Sequence, residues 1–412
     1  MKNIVLTTIT GLSIAALSGC SGSSSGSSSP TVDSCSALNS ETFNCEKMLN
    51  DIVDHSVEPL IAGFSTKVQA LKVMTTEYCA SITASTPTAS ETIAFEEAQQ
   101  AWQETMDVWQ QLEVMQFGPL LTERDEFYSW PLNDSCKVDE EIVFALAPGY
   151  DITSGVTPAR RGLDAFEYLI FNDSMEISCT AEGTITPALT DWNNKPDVNK
   201  REDRCNYAVK VSDDLVTRAA ALSQAYTNYD IASDEGSQHD AANLVSDALF
   251  YIDKKTKDAK LTELLPATST GTFNPNGLEF VYADAARDAV HNNLIGALAI
   301  MNGTGGNGGL EDYLVAAGQS ALAAEMITEL NTAIASSSDT EITQSFRAIM
   351  TAATGPNDVS TCINADAETA VTDLEKLCSL DNEVKAFTDD LKGQFVLTLG
   401  FTVPSDAEGD ND

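Results

Sequence analysis

The stretch Arg160-Arg161-Gly162-Leu163-Asp164-Ala165-Phe166-Glu167-Tyr168-Leu169-Ile170-Phe171 decides how the rest of the chain is read. Taken as a helix, it gathers Leu163, Phe166, Leu169 and Ile170 into a broad apolar face. Asp164 and Glu167 lie three residues apart, so their carboxylates leave the helix on the same side. Two acids so placed are either a metal-ligand pair or an edge left in solvent. Thr157-Pro158 supplies a cap and a first-turn proline, which predicts one helical run from Pro158 to Phe171.

A third acid joins them from upstream. A helix capped at Ser90 is predicted to run to about Phe117, with Phe95, Ala98, Trp102, Met106 and Trp109 along its apolar stripe. The next position on that stripe is Glu113. A carboxylate in line with two tryptophans is at least half-buried, and burial is costly unless it is paired or binds a metal. The alternative is a side chain reaching solvent at the helix end. Gly118-Pro119 then stops the helix.

Helical periodicity continues in both directions. From Cys45 to about Ala84, apolar residues recur at three- and four-residue steps, with Pro59 predicted to kink or divide the helix. Further helices are predicted over Asn206–Tyr229, His239–Leu264, a run ending at Met301, 310–336, 339–354 and 365–397. No stretch alternates for long, so the fold class is all-α, two antiparallel bundles stapled by disulfides. The divisions are 45–171 for the N-terminal bundle, 172–205 for a polar connection and 206–403 for the C-terminal bundle. An acidic tail follows over 404–412.

The N-terminus reads as an export segment. Residues 1–20 carry Lys2, an apolar core and Leu17-Ser18-Gly19-Cys20, which resembles a bacterial lipobox with Cys20 as the lipidated residue. Residues 21–44 form a Ser/Gly-rich tether. The expected location is therefore the outer membrane, on its periplasmic or surface face, held by a lipid anchor. Eight cysteines remain: Cys35, Cys45, Cys79, Cys136, Cys179, Cys205, Cys362 and Cys378. An even number in an exported chain predicts disulfides, and pairing sequence neighbours gives 35–45, 79–136, 179–205 and 362–378.

Composition and motif spacing exclude several functions. With 62 acids against 23 bases, the net charge of −39 argues against nucleic acid as a partner. Only three histidines are present (His55, His239 and His291), with no His-Glu-x-x-His and no Gly-x-Ser-x-Gly. The glycine run at 303–309 lacks the Gly-Lys-Ser/Thr ending of a phosphate loop. The lysines at 254, 255, 257 and 260 read as a solvated helix face. No organic cofactor is expected, and the chain is expected to be monomeric. If Glu113, Asp164 and Glu167 converge, they form an oxygen-rich site for a hard divalent or ferric cation, iron first and calcium as the alternative.

Several segments resemble the imelysin family. Gly162 and Glu167 match its Gly-x-His-x-x-Glu motif, while Asp164 stands where the family has histidine. Trp109 to Pro119 resembles the family's Trp…Glu-x-x-x-Phe-Gly-Pro segment, and Trp130-Pro131 its following Trp-Pro. The resemblance covers nearly all of residues 45–400 and implies paired helical bundles with a cleft between them. It gives Gly162, Trp109 and Trp130 supporting roles. It also implies two functions, a metal-dependent peptidase or a lipoprotein of iron acquisition. With aspartate for histidine, the expectation is binding of a hard metal or an iron carrier, with an iron-uptake protein as partner. A metal-free module with a degenerate site is the remaining alternative.

Overall fold

The computed structural model describes residues 34–132, 134–179, 186–405 and 407. Residues 1–33, where the export segment, Cys20 and most of the serine-glycine tether are expected, and most of the acidic tail lie outside these residues. Among the described residues the chain is all helical, without strands, and no helix is long and apolar enough to cross a membrane.

Three helices form the frame of the N-terminal part. Glu58–Ser81 packs along both Ala89–Glu113 and Asp197–Tyr226. The expected boundary at residue 206 therefore falls inside a helix. The helix Ala286–Asn302 then packs on Ala89–Glu113, joining the later part of the chain to the frame. That contact is made at backbone distance, because a β-carbon on Gly296 would lie 2.5 Å from the Gln111 carbonyl oxygen. Ser320–Ser336 and Asp373–Asp390 pack against each other beyond it. One continuous set of buried apolar residues runs from Cys35 to Ala407, so the bundles share a core.

Two irregularities matter for the site. Pro59 lacks an N–H for the carbonyl of His55, and the helix widens into a π turn over Ile52–Val57 just before it. The Thr304 hydroxyl donates to that His55 carbonyl, and Gly308 N–H donates to Asp51 at 2.8 Å. The glycine-rich loop thus packs over the π turn and satisfies its freed carbonyl. A second π segment, Ile252–Ala259, follows Gln238–Tyr251. Its extra residue per turn rotates Lys257 and Lys260 inward, where both are buried. The expectation of a wholly solvated lysine face is corrected on those two residues.

The predicted run from Pro158 to Phe171 is broken as well. A short 3-10 turn at Pro158–Arg160 is followed by the helix proper, Leu163–Phe171, with Gly162 extended between them. A β-carbon on Gly162 would meet the Phe127 carbonyl at 2.8 Å and Asp164 Oδ1 at 2.5 Å, so only glycine fits. Arg160 pairs with Glu141 at 3.0 Å, and Arg161 with Glu126 and Asp214, which fixes the start of the helix. The indole of Trp102 donates to the Leu163 carbonyl at 2.9 Å, holding the two motif-bearing helices together.

The disulfides are Cys35–Cys45, Cys79–Cys205, Cys136–Cys179 and Cys362–Cys378. The first and last are as expected. The middle pairs are exchanged, because Asp197–Tyr226 begins beside the end of Glu58–Ser81 and carries Cys205 to Cys79. Spatial neighbours across that helix pair are distant in sequence.

Candidate functional site: a buried acid cluster beside an open cleft

Glu113 ends its helix 4% exposed, as its place on the tryptophan stripe predicts. Both of its oxygens are engaged. Oε1 accepts from the Trp109 indole at 3.1 Å, and Oε2 accepts from the Tyr251 hydroxyl at 2.7 Å and from Lys260 at 3.3 Å. Lys260 also pairs with Glu279 at 2.9 Å, and Glu279 in turn accepts from the Tyr128 hydroxyl at 2.8 Å. Sequence reading missed both Lys260 and Glu279. An acid set between Leu278 and Phe280 was the available signal for the second; nothing local signalled the first.

Asp164 and Glu167 face inward rather than to solvent. Ser129 donates to Asp164 Oδ2 at 2.7 Å, while Asp164 Oδ1 is buried without a hydrogen-bond partner. Burial pushes the Asp164 carboxyl up to about 6, against the pull of the Ser129 hydroxyl. Glu167 Oε1 accepts from the backbone N–H groups of Tyr282 and Ala283 at 2.8 and 2.9 Å. Burial raises Glu167 to about 7, and the charges of Asp164 and Glu279 add to the rise. Glu167 thereby clamps a loop in which Phe280 and Asp284 have left-handed backbone, a conformation non-glycine residues resist.

The expected metal ligands Glu113, Asp164 and Glu167 are not brought together as a set. Among the described residues, the only group of three acids, histidines or cysteines whose ligand atoms all lie within 4.8 Å of one another is Glu325, Glu329 and Asp390. That group stands on other helices and includes the exposed Glu325. At the motif, Asp164 Oδ1 is a free carboxylate oxygen, but both Glu113 oxygens are taken and an ammonium stands between Glu113 and Glu279. This donor set does not fit a resident metal ion. None of the three histidines supplies the missing nitrogen: His55 is exposed, while His239 and His291 contact Ser34 and Ser337 respectively.

A cleft of about 880 Å³ opens beside the cluster. Trp109, Glu113, Trp130 and Tyr251 line it, so it borders the segments that carry the resemblance. Arg124, Lys254 and Lys255 also line it, in a chain whose net charge is −39. Lys254 pairs with Asp258 at 3.3 Å, whereas Lys255 has no ion-pair partner among the described residues. Trp130 is half-buried and its ring centroid lies 5.6 Å from the Lys260 ammonium, so it both walls the cleft and covers the cluster. The wall supplies aromatic faces and charges of both signs, since Glu113, Asp125 and Asp247 line it with the three cations and Arg124 pairs with Asp125 at 3.3 Å. Lys255 is the cation left to meet an anionic part of a flat or apolar ligand.

Comparison with known proteins agrees with this architecture. No curated protein matches the chain. An imelysin-like protein from Psychrobacter arcticum 273-4 superposes with a TM-score of 0.59 at 15% identity, covering 87% of this chain and 97% of the other. A protein from Parabacteroides distasonis ATCC 8503, named as a candidate iron-regulated protein A precursor, gives 0.56 at 16% identity, covering 90% and 97%. At such identities the two establish the shared fold. The Imelysin family profile matches residues 62–377, through the tryptophan stripe, the motif helix and the second bundle, and the chain belongs to the imelysin family.

Proposed function

We propose that this chain is an exported, lipid-anchored binding protein serving iron uptake, and that it takes iron as a complex or on a carrier rather than as a bare ion. The observation that carries the reading is the cleft beside the motif. At about 880 Å³ it far exceeds the space one cation needs, and its wall combines Trp109, Trp130 and Tyr251 with Arg124, Lys254 and Lys255. Ferric chelates with carboxylate or catecholate arms are anionic and bulky, and in a cleft of mixed charge such an arm would meet the Lys255 ammonium beside the aromatic faces. The link to iron comes from what the imelysin resemblance implies and from the name of the Parabacteroides distasonis neighbour. The anchor comes from Leu17-Ser18-Gly19-Cys20. A peptidase would need a metal on Glu113 and Asp164 with Glu167 as base, and the engaged oxygens of Glu113 do not offer that.

The test is tryptophan fluorescence during titration with ferric citrate. Saturable quenching by the complex, weakened by Lys255→Glu, is the expected result. Quenching by Fe³⁺ alone with none by the complex would overturn the reading.

A further inference from the structure

Lys260 is a buried ammonium surrounded by side-chain oxygens. Its side chain is 2% exposed, and its nitrogen lies 2.7 Å from Gln110 Oε1, 2.8 Å from Asn293 Oδ1, 2.9 Å from Glu279 Oε2 and 3.3 Å from Glu113 Oε2. All four partners are oxygens, two from carboxylates and two from amides. Other donors orient them. Gln110 donates to Glu279 at 3.2 Å, Asn293 to Gln110 at 3.0 Å and Thr256 to Asn293 at 3.1 Å. Tyr251 covers the nitrogen from 5.4 Å to its ring centroid, with Trp130 beside it. The shell comes from the Ala89–Glu113 helix, the Glu279 loop and the Ala286–Asn302 helix, which are far apart in sequence.

Hard oxygens held in place by outer donors, two of them from carboxylates, are the chemistry of a calcium or manganese site. An ammonium differs from such an ion chiefly in being attached to the chain. The π turn over Ile252–Ala259 puts it there: the Lys260 N–H bonds back to the Lys255 carbonyl, five residues earlier. We propose that Lys260 is a tethered cation occupying a hard-metal site formed by Gln110, Glu113, Glu279 and Asn293. The protein therefore needs no metal at this junction, and removing the ammonium opens the site to a free cation.

The experiment uses the full-length chain with Lys260→Ala and Lys260→Met, and follows thermal unfolding with Ca²⁺, Mn²⁺ or methylammonium. Wild type should show no cation-dependent rise in Tm that Glu279→Gln removes. Lys260→Ala should melt lower, and each cation should raise its Tm in a saturable way. Lys260→Met, which fills the space without charge, should not respond, and Glu279→Gln in the alanine background should abolish the response. If Lys260→Ala does not fold alone, refolding with Ca²⁺ or methylammonium should recover it. Failure of every cation to raise the Tm of Lys260→Ala or to recover it overturns the proposal. So does a wild-type response to Mn²⁺ that Glu279→Gln removes.

Discussion

Neutralising Glu167 should remove a defined part of the pH dependence of stability. Burial lifts its carboxyl from the usual glutamate value to about 7, so in the folded chain it holds a proton that the unfolded chain has already lost. The folded state therefore binds more protons than the unfolded state between about pH 4.5 and 7, and stability falls as pH rises through that window. A displacement of about two and a half pKa units corresponds to roughly 3 kcal/mol, present below the window and lost above it. Asp164, lifted to about 6, acts with the same sign over a slightly lower range. Glu167→Gln keeps an acceptor for the Tyr282 and Ala283 N–H groups but cannot ionise. Urea unfolding of wild type and variant from pH 4.5 to 8, with chelator present, isolates the effect. Asp107 and Glu329 are also raised, to about 6 and 7, but contribute equally to both proteins and cancel in the difference. The expected result is a variant that gains on wild type by about 3 kcal/mol across the range, with an unchanged m-value. A difference independent of pH would refute the assignment of Glu167 as a buried, proton-holding carboxyl.

Further predictions follow from single contacts. Gly296→Val should lower Tm strongly, because its side chain would enter the Gln111 backbone and force the two helices apart at a cost of about 2 kcal/mol or more. Breaking Cys79–Cys205 by double serine substitution should cost about 5 kcal/mol by chain entropy, against about 3 kcal/mol for Cys35–Cys45, since the bridges span 126 and 10 residues. Non-reducing peptide mapping should recover the Cys136–Cys179 and Cys79–Cys205 pairs. Trp102→Phe should weaken the join between the motif helices by about 1 kcal/mol, through loss of the bond to the Leu163 carbonyl, as read by urea midpoint.

The features legible in the sequence were those with a local cause. The tryptophan stripe placed Glu113 in the interior because three- and four-residue steps depend only on helical geometry. That helix ends at Glu113, short of the predicted Phe117, and Gly118-Pro119 opens the next helix, Pro119–Phe127, while Pro59 marked the irregular turn before it. The lysines at 257 and 260 were misplaced because a π turn changes the residue count per turn without a composition signal, so an apparently outer face turned inward. Sequence proximity pairs Cys79 with Cys136 and Cys179 with Cys205, whereas helix packing decides which sulfurs meet and joins Cys79 to Cys205. The acid cluster was legible in part. Asp164 and Glu167 shared a helix face, but the partners of Glu113 are Lys260 and Glu279, and only the packing of distant helices joins them.

The most direct test of the account is calorimetric titration of the chain with ferric citrate and, separately, with Fe³⁺, Ca²⁺ and Mn²⁺. The account predicts stoichiometric binding of the complex, weakened by Lys255→Glu, and no binding of a bare cation that depends on Asp164. Stoichiometric binding of a bare cation that Asp164→Ala abolishes, with the complex left unbound, would contradict it.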